Sequence, residues 1–406
     1  MRRFLAAFLF ALLPLAAKAE ALAHWVQLGP GGMAQARVVV TGACPAIDID
    51  GMQTAMHERA APDAAFAIRL CSADLPKNAK SVSVMGASLP VPAAAPQRIV
   101  VLGDTGCRIK GSAVQACNDP AKWPFPVLAA KAAALKPDLI IHVGDYLYRE
   151  TPCPVGDAGC AGSPSGDNWP SWNADFFTPA APLFAAAPMI FVRGNHEDCP
   201  RSGAGWLRLI GPGEDAHAPC GHLAPYAVPL GTMTLAVMDD ASAPDISVDS
   251  NLVPTYRADF AALGKFGPAP LWLAMHRPIW GAVKGPFGIP VGGNATLIAS
   301  LDANALAPVS LMLSGHIHAF EVLNYRGSVP PQLLAGNSGD NLDAAPSDLG
   351  GLNLSGQFVT DGISRGGFGF LLMTRNDKTW NIEVHNADGT LAMTCTFAGG
   401  RIDCPK

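Results

Sequence analysis

Five short segments of the sequence carry side chains that bind metal ions. They are Gly103-Asp104-Thr105-Gly106, Gly144-Asp145-Tyr146-Leu147-Tyr148, Gly194-Asn195-His196-Glu197, His276-Arg277-Pro278 and Gly315-His316-Ile317-His318. The oxygen and imidazole groups of this set suit iron, zinc or manganese, and the set contains no thiolate. Two such ions lying close together clamp the attacking and leaving oxygens of a phosphoryl displacement and lower the pKa of a bound water toward ~7. The segments therefore predict a two-metal hydrolytic centre.

Each segment directly follows a predicted β-strand. These strands are residues 98–102, 138–143, 189–192, 271–275 and 309–313, and a further strand is predicted at 233–238. Helices are predicted between several of them, at residues 124–135, 174–187, 255–263 and 296–306. The alternation of apolar strands and helices indicates parallel βαβ units. Because the carboxyl ends of strands in an open α/β sheet line one crevice, all five segments should meet at one rim.

Each segment also has a simpler explanation when it is taken alone. A Gly-Asp pair after a strand is often a turn, a lone histidine such as His276 is often structural, and Asn195 can cap a helix. Glycines precede Asp104, Asp145, Asn195 and His316, and each allows the backbone to turn sharply and approach a ligand closely. All five segments together, each at a strand end, favour the metal centre over the separate explanations.

The five segments resemble the motif series of the calcineurin-like metallophosphoesterases over roughly residues 97–325. The first two are more similar to the purple acid phosphatase branch of that superfamily. Most members open with D-x-H, whereas this sequence has Asp104-Thr105-Gly106, followed by a GD-x-x-Y motif that ends at Tyr148. The resemblance implies an α/β (α+β) fold, built as a four-layer αββα sandwich of two mixed sheets with helices outside.

The resemblance also implies which residues bind the two metal ions. The first ion is assigned to Asp104, Asp145, Tyr148 and His318, and the second to Asp145, Asn195, His276 and His316, with Asp145 bridging both. A phenol has a pKa of ~10, so an ionised Tyr148 requires a strongly acidic ion such as Fe(III). Fe(II), zinc or manganese is expected at the other position. His196 is expected to contact the substrate phosphate and to stabilise the charge of the transition state without binding metal.

The sequence departs from the plant-like members of the branch at one position. They carry another histidine about ten residues after the fourth motif, and residues 277–314 contain none here. Arg277, Lys284, His222 or His217 are candidates to replace it, or the leaving group departs without help. Arg201 and Arg208, which follow the third motif, are further candidates for contacts to phosphate. Arg277, Arg201 and His222 are thus the predicted substrate-binding residues.

The first residues predict export. Arg2-Arg3 precede an apolar run over residues 4–16, and Ala17-Lys18-Ala19 forms an A-x-A cleavage site. A transmembrane anchor is the alternative, but the run is shorter than the ~20 residues that a span needs. We therefore expect a signal peptide at residues 1–19, no membrane span after its cleavage, and a periplasmic or extracellular protein.

Ten cysteines follow the predicted cleavage site. They are Cys44, Cys71, Cys107, Cys117, Cys153, Cys160, Cys199, Cys220, Cys395 and Cys404. An even number of cysteines in an exported chain indicates disulfides, and no CxxC-type spacing supports a cysteine metal site. The connectivity does not follow from the sequence. Taken in order, the cysteines fall into five pairs of close neighbours, and each such pair would close one local loop.

Composition, charge and missing motifs exclude several other classes of protein. Removing Arg2, Arg3 and Lys18 from the 28 basic residues leaves 25 against 33 acidic ones, a net charge of −8. Such a chain has no overall electrostatic attraction for nucleic acid. No GxSxG elbow, GxGxxG loop or Walker loop is present. Residues 20–96, rich in short β-type runs, are predicted as an N-terminal β domain, and residues 97–406 as the catalytic domain.

Together these features predict an exported phosphatase that hydrolyses monoesters of phosphorylated small molecules with two metal ions. A phosphodiesterase or nucleotidase on the same centre is the alternative. A second alternative is an exported binding protein whose metal site is structural or vestigial. The sequence does not indicate the oligomeric state.

Overall fold

The structure, a computed structural model, describes residues 20–213, 216, 218–267, 270–285, 290–344 and 346–405. The predicted signal peptide at residues 1–19 and the candidate His217 lie outside this part of the chain. Within it, no helix is both long and apolar enough to cross a membrane.

The first described segment consists of short strands. They are β1 (Ala21–Leu28), β2 (Ala34–Val40), β3 (Ala46–Ile49), β4 (Met52–Ala55), β5 (His57–Ala60), β6 (Arg69–Leu75), β7 (Val82–Val84) and β8 (Ala87–Leu89).

Strands and helices then alternate. The elements are β9 (Arg98–Leu102), β10 (Ile109–Lys110), β11 (Ala113–Val114), α1 (Phe125–Ala134), β12 (Leu139–His142), α2 (Trp169–Trp172), α3 (Thr178–Ala186), β13 (Met189–Phe191), α4 (Gly203–Leu209), β14 (Tyr226–Pro229), β15 (Thr234–Val237), α5 (Val253–Leu263), β16 (Leu271–Ala274), β17 (Val283–Lys284), β18 (Pro290–Val291), α6 (Ala295–Ser300) and β19 (Val309–Ser314). A π-helical turn at Asn173–Phe177 joins α2 to α3, and a 3-10 turn at Asn195–Glu197 follows β13.

The C-terminal part is all strand. It contains β20 (Phe320–Tyr325), β21 (Gln332–Ala335), β22 (Asn353–Leu354), β23 (Gln357–Arg365), β24 (Gly369–Asn376), β25 (Thr379–Asn386), β26 (Leu391–Ala398) and β27 (Arg401–Asp403).

Two large mixed sheets hold most of these strands. The larger has the order β27-β26-β25-β24-β9-β12-β13-β1-β2-β6-β5, and the smaller has the order β14-β15-β16-β19-β21-β20-β23-β22. Strands β9, β12 and β13 pair in parallel, as do β15, β16, β19 and β21. The predicted βαβ unit from β9 through α1 to β12 is therefore present, and the parallel strands of each sheet share one carboxyl edge.

The parallel strands at the centre of each sheet are buried on both faces, which explains their continuous apolar sequences. Ile99 and Val101 of β9 point into the core between the sheets, where they join Leu235 and Leu313 of the smaller sheet. The alternate side chains of β9 pack against the outer helices α1 and α3. Helices α5 and α6 cover the outer face of the smaller sheet in the same way. The four layers confirm the predicted αββα sandwich.

The N-terminal segment differs from the separate β domain that its sequence suggested. Strands β1, β2, β6 and β5 extend the larger sheet, with β1 parallel to β13 at Gln27 and Met189. This pairing covers an edge of β13 that would otherwise present unpaired backbone groups. Only β3, β4, β7 and β8 form a small sheet of their own. The sheet thus runs across the predicted boundary at residues 96 and 97.

All ten cysteines are paired in disulfides that join sequence neighbours. The pairs are Cys44–Cys71, Cys107–Cys117, Cys153–Cys160, Cys199–Cys220 and Cys395–Cys404. Two of these bridges close loops that begin next to the predicted metal motifs, since Cys107 follows the first motif and Cys199 the third. The disulfides that the even cysteine count predicted are present.

Candidate metal centre

The five predicted segments meet at the carboxyl edges of the two sheets. Asp104, Asp145 and Asn195 follow β9, β12 and β13 of the larger sheet, while His276 and His316 follow β16 and β19 of the smaller one. One contact joins the loops of the two sheets, since His276 Nδ1 lies 2.9 Å from the carbonyl oxygen of Val143, which follows β12. The remaining ring nitrogen of His276 is thereby directed toward the other motif residues.

One group of side chains surrounds the Tyr148 hydroxyl. Its oxygen lies 3.1 Å from Asp104 Oδ1 and 2.8 Å from Asp145 Oδ2. The same oxygen lies 3.1 Å from His318 Nε2, which is 3.2 Å from Asp104 Oδ1. The other nitrogen of His318 lies 2.6 Å from the Asn341 carbonyl oxygen, which fixes the ring orientation. These four residues are the ones assigned to the first ion.

A second group lies beside the first and shares Asp145 with it. His276 Nε2 is 3.2 Å from Asp145 Oδ2 and 3.0 Å from Asn195 Oδ1. One potential ligand atom each from Asp145, His276 and His316 lies within 4.8 Å of the others. All four residues assigned to the second ion therefore converge, and Asp145 is the residue that the two groups have in common.

The backbone at three of these residues is left-handed. Asp104, Asp145 and His316 have φ of 56°, 60° and 68°, a conformation that is uncommon for residues other than glycine and that concentrates at functional sites. The preceding glycines allow the close approach. A Cβ on Gly144 would overlap the His276 ring, and a Cβ on Gly194 would overlap the Asp145 side chain.

The buried acidic groups of the cluster favour the binding of cations. The side chains of Asp104, Asp145 and Tyr148 are almost fully buried, and two carboxylates this close repel each other unless a positive charge lies between them. Burial alone lowers the pKa of His318, but the carboxylates Asp104 and Asp340 raise it to about 10. Burial, together with Asp145 and Asp104, raises the pKa of the Tyr148 phenol well above its usual range. The donor set therefore fits metal ions, and a tyrosinate here requires one.

Buried carboxylates outside the predicted ligand set hold these loops in place. Glu197 accepts hydrogen bonds from the backbone N–H groups of Asp145, Tyr146 and Leu147 at 3.2, 2.9 and 3.1 Å. Asp175, in the π-helical turn, accepts from the Tyr148 N–H at 2.8 Å.

Asp240 performs the same role on the smaller sheet. It accepts hydrogen bonds from the backbone N–H groups of His276 at 3.0 Å and Arg277 at 2.9 Å. A signal for this residue was present in the sequence, because Asp239 and Asp240 directly follow the strand predicted at residues 233–238. No comparable local signal marks Asp175, which becomes important only when the π-helical turn packs beneath the second motif.

His196 lies at the edge of the cluster. Its Nδ1 lies 2.9 Å from Glu150 Oε1, and its ring centroid lies 3.6 Å from that of Tyr148. Arg201 contacts both His196 Nδ1 and the same carboxylate oxygen of Glu150. Burial would raise the pKa of Glu150, but the hydrogen bonds from His196 and Arg201 lower it well below its usual range. An ionised Glu150 therefore orients the His196 ring. In this orientation, His196 Nε2 lies 3.9 Å from Asp145 Oδ2.

A cavity of about 430 Å³ opens onto the cluster. Its wall includes Asp145, Asn195, His196, His316 and His318, and three cations, Arg108, Lys110 and Arg201. The Arg108 guanidinium pairs with Asp340 and lies 4.9 Å from the centroid of the Tyr148 ring. Asn341, Leu342 and Asp343 also line the cavity. Lys110 lies 3.2 Å from Glu150, with which Arg201 also pairs. The cavity is polar, and its three cations are donors of the kind that bind phosphate groups.

The other residues predicted to bind substrate lie in different positions. Arg277 contacts His316 Nε2 at 3.2 Å and pairs with Asp245, so it lies beside the cluster. His222 is not part of this cavity wall and binds Asp259 of α5 at 2.7 Å. Arg208 pairs with Asp63 at 2.9 Å, where it joins α4 to the N-terminal segment. Of the cationic candidates that the structure describes, Arg201 is the one that lines the cavity.

These features define a metal-dependent hydrolase on a four-layer sandwich. The model of the calcineurin-like phosphoesterase family matches residues 97–320, and the chain belongs to this family. It is therefore a phosphoric ester hydrolase that depends on metal ions. A search of curated protein sequences gives no match.

Two solved structures are similar in fold. One is a purple acid phosphatase, PPD1, isolated from seeds of yellow lupin (Lupinus luteus), with 14% identity and a TM-score of 0.57 over 92% of this chain and 74% of that one. The other is PhoD, with 11% identity and a TM-score of 0.56 over 95% of this chain and 92% of that one. These similarities confirm the predicted architecture.

Proposed function

We propose that this protein hydrolyses phosphate monoesters with two metal ions held by Asp104, Asp145, Tyr148, Asn195, His276, His316 and His318. The observation that carries the proposal is the convergence of all seven side chains on two overlapping groups that share Asp145. When bound, the two ions supply a water of lowered pKa and positive charge beside the phosphoryl oxygens. The cations of the cavity wall support a monoester, because a monoester carries up to two negative charges and a diester carries one.

The protein's own residues bind and orient the substrate. Arg201 and Lys110, which both pair with Glu150, offer donors to the phosphate dianion, and Arg108, which pairs with Asp340, offers a third next to Tyr148. Burial lowers the pKa of His196 to about 4, but a bound dianion raises the pKa of a neighbouring imidazole. Substrate binding thus favours an imidazolium at His196, with Glu150 accepting from Nδ1 and Nε2 available to donate to a phosphoryl oxygen.

The proposed ions are Fe(III) at the Tyr148 side and Fe(II), zinc or manganese at the His276 side. A phenol whose pKa is raised by burial and by two carboxylates ionises only beside a strongly Lewis-acidic ion. The second group offers two imidazoles, an amide and one shared carboxylate, which suits a divalent ion. We also propose that the protein is exported, since five disulfides are typical of oxidising compartments.

The proposal is tested by comparing an aryl phosphate monoester with the corresponding aryl diester as substrates of the purified, metal-loaded protein. We expect kcat/KM to be at least about tenfold higher for the monoester, because the three cavity cations favour the additional charge. A higher value for the diester would show that the centre belongs to a phosphodiesterase. Bound metal without hydrolysis of either ester would favour a binding protein instead.

A further inference from the structure

A second cavity adjoins the one described above on the far side of His316. It has a volume of about 670 Å³ and shares His316 and Asp343 with the first cavity. The two cavities therefore adjoin each other at a residue assigned to the metal centre. A molecule whose phosphate lies in the first cavity can extend past His316 into the second.

The lining of the second cavity differs in chemistry from that of the first. Ile246, Pro278, Val283 and Ile317 contribute apolar surface, and the described residues of the wall include no lysine or arginine. The charged groups present, Asp245 and Asp343, are acidic. The first cavity, in contrast, has three cations on its wall. Acidic groups line both cavities, and Asp343 belongs to both, but among the described wall residues lysine and arginine side chains that could bind an anion occur in the first cavity alone.

Hydrogen bonds hold the wall of the second cavity in place. The buried Asn294 donates to Asp245 Oδ1 at 2.7 Å and to the Ala243 carbonyl oxygen at 3.0 Å. Asp245 Oδ2 in turn lies 3.0 Å from His316 Nε2 and pairs with Arg277. The cavity is therefore preformed, and its wall is fixed to the metal centre through Asp245.

Ile246 is an exposed apolar residue of this wall. Its side chain is 98% exposed, so packing within the chain does not account for an apolar residue at this position. The other apolar wall residues are held in the fold, and Ile317 is almost fully buried. An organic group that enters the cavity would cover Ile246 and remove its apolar surface from water.

We propose that the second cavity binds the alcohol part of the substrate, and that the enzyme acts on phosphate monoesters of uncharged, apolar alcohols. This inference rests on the proposed monoesterase function and names its substrate class. The phosphate lies among the cations of the first cavity, and an alkyl or aryl group lies against Ile246, Val283 and Ile317. A volume of this size accommodates a group as large as a typical small-molecule ligand.

The test uses straight-chain alkyl phosphates from ethyl to hexyl, whose leaving-group alcohols have nearly the same pKa. With the metal-loaded protein, kcat/KM should rise by up to about fourfold per added methylene, the equivalent of about 0.8 kcal/mol each. Inhibition constants of the matching alkyl phosphonates, which are not hydrolysed, should fall in parallel. A parallel fall would show that the rise of kcat/KM with chain length comes from binding and not from the chemical step.

Two variants of one loop provide the matched comparison. Ile246→Asp adds a charge to the cavity wall and should flatten both trends, reducing the hexyl-to-ethyl ratio of kcat/KM by about tenfold or more. Val248→Asp adds the same charge at a residue that is 54% exposed and is absent from the wall, and it should leave the ratio unchanged.

A flat series in the wild-type protein, or equal effects of the two variants, would overturn the proposal for the second cavity while leaving the esterase intact. Failure to hydrolyse any of the esters would instead contradict the proposed function.

Discussion

Individual side chains of the centre have separable roles, and His196 is the clearest case. It lies beside the ligand cluster, but its Nδ1 is engaged by Glu150 at 2.9 Å, and its Nε2 is 3.9 Å from the nearest carboxylate oxygen of Asp145. We therefore propose that His196 stabilises charge on the substrate without holding an ion. Sequence motifs alone do not distinguish the two roles, because Asn195 and His196 are adjacent in the chain.

We predict that His196→Ala lowers kcat by about 10²–10³-fold while the metal content of the purified protein stays the same. The physical reason is the loss of one donor aimed at the charge that develops on the phosphoryl oxygens. Steady-state kinetics and elemental analysis of the same samples provide the measurement. Loss of an ion in this variant would show that His196 is a ligand and would contradict the assignment.

Tyr148 should determine the colour of the protein. If its phenolate binds Fe(III), the purified protein should have a broad absorption band in the visible range, and Tyr148→Phe should remove it. Tyr325→Phe is the control, because Tyr325 is also buried and its hydroxyl donates to the Trp280 carbonyl oxygen at 3.3 Å. A colourless wild-type protein that contains only zinc or manganese would contradict the tyrosinate–iron assignment.

At the scale of elements, the loops after the strands require glycine for a reason that can be tested. Gly144 has φ of 103°, and a Cβ there would overlap the His276 ring. Gly156 has a similar φ of 89°, but a Cβ there would meet no atom within 4 Å. Alanine substitutions at these two positions therefore separate the effect of backbone strain from the effect of steric overlap with His276.

We predict that Gly156→Ala costs about 1–2 kcal/mol of stability, the penalty of a left-handed alanine, and leaves turnover unchanged. Gly144→Ala should cost more and should also displace His276, with loss of metal and activity. Thermal unfolding, metal analysis and kinetics on both variants give the comparison. Equal behaviour of the two variants would mean that the close approach of Gly144 to His276 is unimportant.

The elements show which parts of the architecture a sequence can predict. Strand β9 coincides with its predicted range, and α1 differs by one residue at each end, because buried strands and helices carry local apolar patterns. The pairing of β1 with β13 could not be predicted in this way, since an apolar run indicates a strand but not its partner. The same limit applies to the site. Motif residues were visible locally, whereas Glu150 and Asp175 acquire their roles through contacts made only after folding.

At the scale of the whole molecule, buried acids make stability depend on pH. Burial raises the pKa of the Glu321 carboxyl to about 8, and the charge of Asp343 adds to this rise, while a hydrogen bond from the Ala282 N–H at 2.9 Å opposes it. Because the pKa is raised from an ordinary value of 4.5, the stability that this group contributes is fully present below pH 4.5. It is lost as the pH rises toward about 8.

We predict that Glu321→Gln is more stable than the wild type at pH 8, by an amount on the order of a few kcal/mol, and that the difference shrinks at pH 5. The amide keeps the shape of the protonated acid and removes its ionisation. Thermal unfolding of the metal-loaded proteins at both pH values is the measurement, with Glu20→Gln at an exposed position as the control. A variant that is destabilised equally at both pH values would contradict the explanation.

In the proposed centre, Asp145 joins the two ion positions and so connects the larger sheet to the smaller one. The most direct test of this central claim is the number of metal ions per chain, measured with turnover in the wild-type protein, in Asp145→Asn and in the control Asp377→Asn, an exposed residue between β24 and β25. We predict two ions and full activity in the wild type and the control, and loss of metal together with loss of turnover in Asp145→Asn. Near-normal turnover or an unchanged metal content in Asp145→Asn would contradict the proposed centre.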